Sequence, residues 1–141
     1  MSQVFLAESE AQIRRCYPVM VQLRPAYSEE NFVGCVATQQ TAGYSLAALE
    51  TADNHIGAVA GFRISENLAW GRFLYVDDFV TDNRQRSLGL GKTLLQWLTD
   101  FARQQGCQQL HLDSGTQRER AHAFYLREGM ALSSYHFCLP L

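Results

Sequence analysis

Arg86-Ser87-Leu88-Gly89-Leu90-Gly91-Lys92 joins a basic turn to two glycines one residue apart, and an amphipathic run follows directly. Glycines let the main chain approach a ligand closely, and a helix start offers unpaired N–H groups at the positive end of its dipole. That order of features suits a ligand that carries phosphates. A second set of residues suits proton transfer. Asp77 and Asp78 lie in an apolar strand pattern ahead of the turn, and Asp113 ends a later one. His122 and Tyr125 stand three residues apart on a helical stretch, hence on one face. Carboxylates and histidine accept protons, whereas a phenol with a pKa near 10 keeps its proton at neutral pH and can donate it. Successive strand residues face opposite sides, so Asp77 and Asp78 are not expected to point at one substrate.

The elements that must position these groups follow from periodicity and punctuation. Val4 to Ala7 reads as a strand, and Glu10 to Tyr17 as a helix stopped by Pro18. Ser28 with Glu29 and Glu30 behind it caps a second helix reaching about Gln40. Tyr44 to Glu50, Ile56 to Ile64 and Phe73 to Thr81 form an antiparallel meander. Leu94, Leu95, Leu98, Phe101 and Ala102 recur at helical spacing, and Gly106 ends that helix. Gln109 to Asp113 is a strand, about Arg118 to Glu128 a helix stopped by Gly129, and Ser134 to Leu139 a closing strand. This order implies an α+β (mixed α/β) fold, one sheet with helices on both faces, in a single domain over residues 1–141.

Two nucleotide-binding grammars fit the turn poorly. It lacks the third glycine of the dinucleotide fingerprint and any preceding βαβ unit. Gly91-Lys92-Thr93 is present, but no glycine sits five residues before Gly91 to complete a P-loop. Arg86 to Gly91 instead matches the Arg/Gln-x-x-Gly-x-Gly/Ala motif between a central strand and a long helix. Ala121-His122-Ala123-Phe124-Tyr125, followed by Gly129-Met130, matches a second motif in the same order. On these motifs the stretch from about Phe73 to Met130 resembles the GNAT superfamily of acyl-CoA-dependent N-acetyltransferases. Members often carry glycine or a basic residue at the position of Ser87, and many carry asparagine at that of Arg118.

The resemblance implies a mostly antiparallel central sheet, in which the strand ending near Phe79 to Thr81 bulges and splays from its neighbour, and acetyl-CoA as co-substrate. It implies that Phe79, Val80 and Thr81 meet the pantetheine arm, with one N–H facing the thioester carbonyl, and that Arg86, Ser87, Leu88, Gly89, Leu90, Gly91 and Lys92 meet the pyrophosphate. Arg118 is left to pair with a CoA phosphate or a substrate carboxylate. Tyr125 is implied beside the sulfur, as acid for the departing thiolate. The amine would attack directly, without a covalent enzyme intermediate. A lysine-like amine with a pKa near 10.4 is almost wholly protonated at pH 7, a cost of roughly 4.6 kcal/mol that a base must offset. Asp77 and Asp113 are the favoured bases, with His122 a third candidate.

The acceptor is expected to be a primary amine of a small molecule or peptide. Leu23 to Tyr27, with Arg24 and Tyr27, and Ser133 to Phe137, with Tyr135, His136 and Phe137, are the expected walls. The contrasting reading is a catalytically silent CoA-binding regulatory or interaction module, since a fold does not fix a function.

A net charge of −2 gives no global attraction to nucleic acid or anionic membrane, and neither partner is expected. Lys92 is the only lysine; the other cations are arginines, which suit bidentate binding of phosphate or carboxylate. Cys16, Cys35, Cys107 and Cys138 lack metal-type or disulfide-framework spacing, which points to a reduced, cytoplasmic setting. Neither Cys107 nor Cys138 has an activating neighbour in sequence. His111 and Asp113 share a strand face, but two ligands do not make a site, so no metal is expected. A homodimer through the terminal strands is compatible with the sequence.

Overall fold

The computed structural model describes residues 2–141, with the side chains of Arg86 and Ser87 outside the described residues. Strand β1 (Gln3–Leu6) leads to helices α1 (Glu10–Leu23) and α2 (Glu29–Gln40). Strands β2 (Tyr44–Glu50), β3 (Ile56–Asn67) and β4 (Gly71–Thr81) follow. A 3-10 turn (Asn83–Leu88) feeds α3 (Leu90–Gln104), and β5 (Gln109–Leu112) and α4 (Glu119–Arg127) complete the regular structure among the described residues. The chain divides into two units, Met1–His111 and Leu112–Leu141.

Among the described residues one sheet forms, in the order β1-β2-β3-β4-β5. The first three pairings are antiparallel, so the expected meander is present. Alternation along β2 explains the layers. Tyr44, Leu46 and Ala48 join a core with Ile13, Cys16 and Met20 of α1 and Phe32, Val33 and Val36 of α2. Phe62 of β3 meets Phe101 of α3 edge-on at 5.5 Å, which gives α3 a contact with the sheet of its own. Both faces of β2 and of the first half of β3, Ile56 to Phe62, are largely buried, as their nearly unbroken apolar sequences require.

Helix starts fall where the capping residues put them. Ser28 accepts a hydrogen bond from the Asn31 N–H at 3.2 Å, and Ser9 forms a reciprocal capping box with Gln12. Helix α1, however, runs through Pro18 to Leu23 rather than stopping at Tyr17. An internal proline costs about 3 kcal/mol. Val19 and Met20 just beyond it are buried, each contributing roughly 1.5–3 kcal/mol, and this packing outweighs the cost.

The second unit contains α4 and an extended tail. The strand expected over Ser134 to Leu139 is absent: among the described residues, none after Arg127 is helix or strand. A strand persists only where neighbouring main chain completes its ladder, and Leu112–Leu141 offers no partner strand among the described residues. Tyr135, Phe137 and Leu139 are exposed along this tail.

Candidate active site

The turn between β4 and α3 is fixed from below. The Asp82 N–H donates to the Gly57 carbonyl at 2.8 Å, tying the end of β4 to the start of β3. The Asp82 carboxylate is buried and accepts from the Arg84 N–H, Nε and Nη2 at 3.1, 3.3 and 3.0 Å and from Gln22 Nε2 at 3.3 Å. Arg84 holds this carboxyl below its ordinary value of 3.8. Gln22 also accepts from the Asn83 N–H at 2.9 Å, so α1 braces the turn.

Gly89 then takes a left-handed conformation, φ 72° and ψ 19°, and α3 begins at Leu90. Gly57 allows the close approach: a Cβ there would stand 2.5 Å from Leu90 Cδ1. Among the described residues, no side chain caps α3 and its first turn holds no acid. The first N–H groups of a helix have no acceptor within the helix itself, and in α3 they lie at the positive end of the dipole. The Arg86 and Ser87 side chains, both expected to meet the pyrophosphate, lie outside the described residues. Leu88 is exposed ahead of the glycine. Phe79, Val80 and Thr81 pair with Ala60, Val59 and Ala58 on the β3 side.

Two residues earlier the strand is irregular. Gly61 pairs with Asp78 and Phe62 with Val76, leaving Asp77 as an extra residue in β4. This bulge overturns the expectation that Asp77 and Asp78 face apart. Strict alternation fails where an extra residue is inserted, and both aspartates line one cavity of about 230 Å³. Met20 of α1 and Phe32 and Val36 of α2 are buried along its floor. Arg24 and Tyr27, expected as a wall, stand exposed at its rim.

The two carboxylates differ in their partners. Asp78 accepts from Arg24 Nε through Oδ1 and from the Tyr44 hydroxyl through Oδ2, both at 2.8 Å. Asp77 accepts from Arg63 Nε through Oδ2 at 2.8 Å, and its Oδ1 has no hydrogen-bond partner among the described residues. Arg63 reaches Gln39 Oε1 at 2.6 Å and lies 5.2 Å from the centre of the Tyr44 ring. Burial, then the negative charge of Asp78, push the Tyr44 phenol above its ordinary 10.0, so Tyr44 stays a donor.

In the second unit, Arg118 is the residue from which α4 starts. Tyr125 is buried, and that burial raises its phenol above 10.0 against the opposing pull of Arg118, whose guanidinium hydrogen-bonds it. An arginine can only donate, so the Tyr125 oxygen is the acceptor of that bond. His122 Nε2 lies 2.7 Å from the Gly115 carbonyl; a carbonyl only accepts, so that nitrogen carries the hydrogen. Asp113 lies half exposed, 3.4 Å from His136 Nδ1.

Tyr44, Arg63, Gln39, Asp82 and Gln22 belong to no motif in the sequence. The bulge that recruits Tyr44 and Arg63 has no local signature beyond Gly61. Asp82 did carry a signal, an aspartate ahead of a short polar turn. No group of three or more His, Cys, Asp or Glu side chains suited to a metal ion is present among the described residues.

Comparison with known proteins agrees with this architecture. Residues 8–130 match the model of the acetyltransferase (GNAT) family. The chain is 34% identical over 135 residues to the uncharacterized N-acetyltransferase YhdJ of Bacillus subtilis (strain 168), covering 94% of each chain. It is 36% identical over 66 residues to the aminoalkylphosphonate N-acetyltransferase of Salmonella typhimurium (strain LT2), covering 47% of this chain and 43% of that one. The crystal structure of a Trypanosoma brucei acetyltransferase superposes with a TM-score of 0.80 at 22% identity, over 100% of both chains.

Proposed function

The chain belongs to the acetyltransferase (GNAT) family, and we propose that it transfers the acetyl group of acetyl-CoA directly to a small primary amine. The observation that carries this reading is the start of α3: a left-handed Gly89 and, among the described residues, no side-chain cap and no acid in the first turn. Leu90, Gly91 and Lys92 would hold the pyrophosphate, joined by Arg86, Ser87, Leu88 and Gly89. Phe79, Val80 and Thr81 would line the thioester arm, and Arg118 would meet a phosphate or a carboxylate. Acetyl-CoA supplies an activated thioester; binding, orientation and proton movement fall to the protein.

Asp77 is the proposed base. Its Oδ1, without a hydrogen-bond partner among the described residues, can accept a proton from the acceptor ammonium, and Arg63 keeps the carboxylate in place through Oδ2. Asp77 lines the cavity whereas Asp113, the other favoured base, is not among the residues lining it, which supports Asp77 over it. Tyr125 is the proposed acid, since its phenol stays protonated throughout the neutral range. The balance is one N–C bond formed and one C–S bond broken; the ammonium gives up two protons, one to Asp77 and on to solvent, the other replacing the proton that Tyr125 hands to the thiolate. Similarity to an enzyme named for an aminoalkylphosphonate supports a small acceptor.

Thiol release from acetyl-CoA with a panel of amines tests the reading. Acetyl-CoA-dependent rise in Tm together with thiol release is the expected result. Stabilisation without release from any amine would favour a silent binding module, and neither effect would overturn the acetyl-CoA assignment.

A further inference from the structure

We propose that the cavity between α1, α2 and β4 selects a small zwitterionic amine, with Arg24 holding its anionic group and Asp77 facing its ammonium group. The proposal rests on the acetyl-transfer reading for its chemistry, but on the cavity for its selectivity.

The wall carries both signs side by side. Asp78 commits both oxygens inside the protein, to Arg24 Nε and to the Tyr44 hydroxyl. Asp77 Oδ1 is left as the lining carboxylate oxygen with no hydrogen-bond partner among the described residues. Arg24 is buttressed in the same way: Nε binds Asp78, and Nη2 donates to the Asp77 carbonyl at 3.1 Å. Its Nη1 has no partner among the described residues, and the side chain is 47% exposed at the rim. A guanidinium fixed on one side and open on the other is a ready fork for a carboxylate or phosphonate.

Charge balance narrows the ligand further. The formal charges of Arg24, Arg63, Asp77 and Asp78 cancel, so a polycation gains no net attraction here. A plain monoamine would satisfy Asp77 and leave the Arg24 fork unmatched. A dipolar molecule meets both, and the apolar floor accepts a short carbon spacer between its charges. The cavity, at about 230 Å³, is smaller than the roughly 300–1,000 Å³ pockets that hold drug-sized ligands.

The test compares kcat/KM for glycine, β-alanine and aminomethylphosphonate with that for ethylamine and spermidine, and measures binding of the same compounds by calorimetry. Glycine against aminomethylphosphonate tells carboxylate from phosphonate. The wild type should favour at least one zwitterion over ethylamine by about tenfold or more, the value of a charge-assisted contact. Arg24→Ala and Arg24→Gln should both abolish that preference through KM; the second keeps a polar side chain in case the first fails to fold. Ethylamine used as well as every zwitterion, or a preference that survives both variants, would overturn the proposal and leave acetyl transfer standing. A zwitterion that binds through Arg24 without thiol release would support the selectivity and sink acetyl transfer. Zwitterions neither bound nor acetylated would overturn it outright.

Discussion

The Tyr44 hydroxyl fills the space in which a side chain at Gly61 would stand, on its way to Asp78. A Cβ at Gly61 would overlap both the hydroxyl and the edge of the ring. Tyr44 is buried and cannot swing into solvent. Gly61→Ala should therefore destabilise the fold by about 1–3 kcal/mol and detach Tyr44 from Asp78. Urea unfolding checks this, with Tyr44→Ala as second mutation: the cost of Gly61→Ala should shrink once the ring is gone. Equal costs in the two backgrounds would mean the overlap is relieved elsewhere.

The bulge beside Gly61 separates two adjacent carboxylates by function. Asp77→Asn removes the acceptor for the amine proton and should lower kcat by roughly 10²-fold or more. The deficit should narrow as pH rises toward the acceptor's own pKa, near 10.4 for a lysine-like amine, because the amine then arrives neutral. Asp78→Asn loosens Arg24 and should act mainly on acceptor KM. A pH series of kcat and KM for both variants distinguishes the roles, and an Asp77→Asn deficit constant with pH would remove Asp77 as base.

Elements with a local cause were legible in the sequence. Ser28 announces α2, Gly106 closes α3, and the glycines after Arg86 mark the turn, because capping and left-handed backbone are decided within a few residues. Properties that depend on distant packing were not. Pro18 inside α1, the place of the β4 bulge at Asp77 that turns Asp77 and Asp78 to one cavity, and the tail left without a strand partner each depend on residues remote in sequence. In the site, the sequence marks motif residues but not the groups that brace the turn and Asp78, since Asp82, Gln22 and Tyr44 act by contacts that spacing does not encode.

Asp82 gives the brace a pH signature. Its carboxyl lies below 3.8 in the fold because Arg84 and its neighbours favour the charged form. The stabilisation is therefore complete above about pH 4 and is lost as pH falls through the lower folded value. Asp82→Asn should cost on the order of 1 kcal/mol at pH 7, held to that size because Arg84 stands in solvent. The gap between variant and wild type should close in strong acid. Unfolding curves at neutral and acid pH measure it, and a gap that widens in acid would contradict the assignment.

Tyr125 is pushed the other way. Burial raises its phenol above 10.0, so the neutral form is the folded one, and its stabilisation is lost only as pH rises beyond that value. Tyr125→Phe should lower turnover by roughly 10²-fold with little change in the acetyl-CoA-induced Tm shift. Wild-type turnover should show no loss from Tyr125 ionisation below pH 10. Arg118→Gln removes an influence that pulls that phenol down, and should move any alkaline loss to higher pH. Turnover of the Tyr125→Phe enzyme at the wild-type rate would take Tyr125 out of the acid role.

Gly89 allows binding and folding to be pulled apart. A Cβ there meets nothing within 4 Å, so a substitution acts only through the backbone and through what it places before α3. Alanine in the left-handed region should cost about 1–2 kcal/mol, whereas asparagine and aspartate tolerate it better. Gly89→Asp further sets a negative charge at the positive end of the helix, a favourable contact of about 0.3–1 kcal/mol for the isolated protein. The same charge would repel a pyrophosphate seated on the N–H groups of Leu90, Gly91 and Lys92. Gly89→Asp should therefore fold at least as stably as Gly89→Ala and yet bind acetyl-CoA worse, while Gly89→Asn falls between them in binding. Chemical denaturation and calorimetric titration of the three variants give the two orders. If affinity simply follows stability across the series, the start of α3 is not where the phosphates are held.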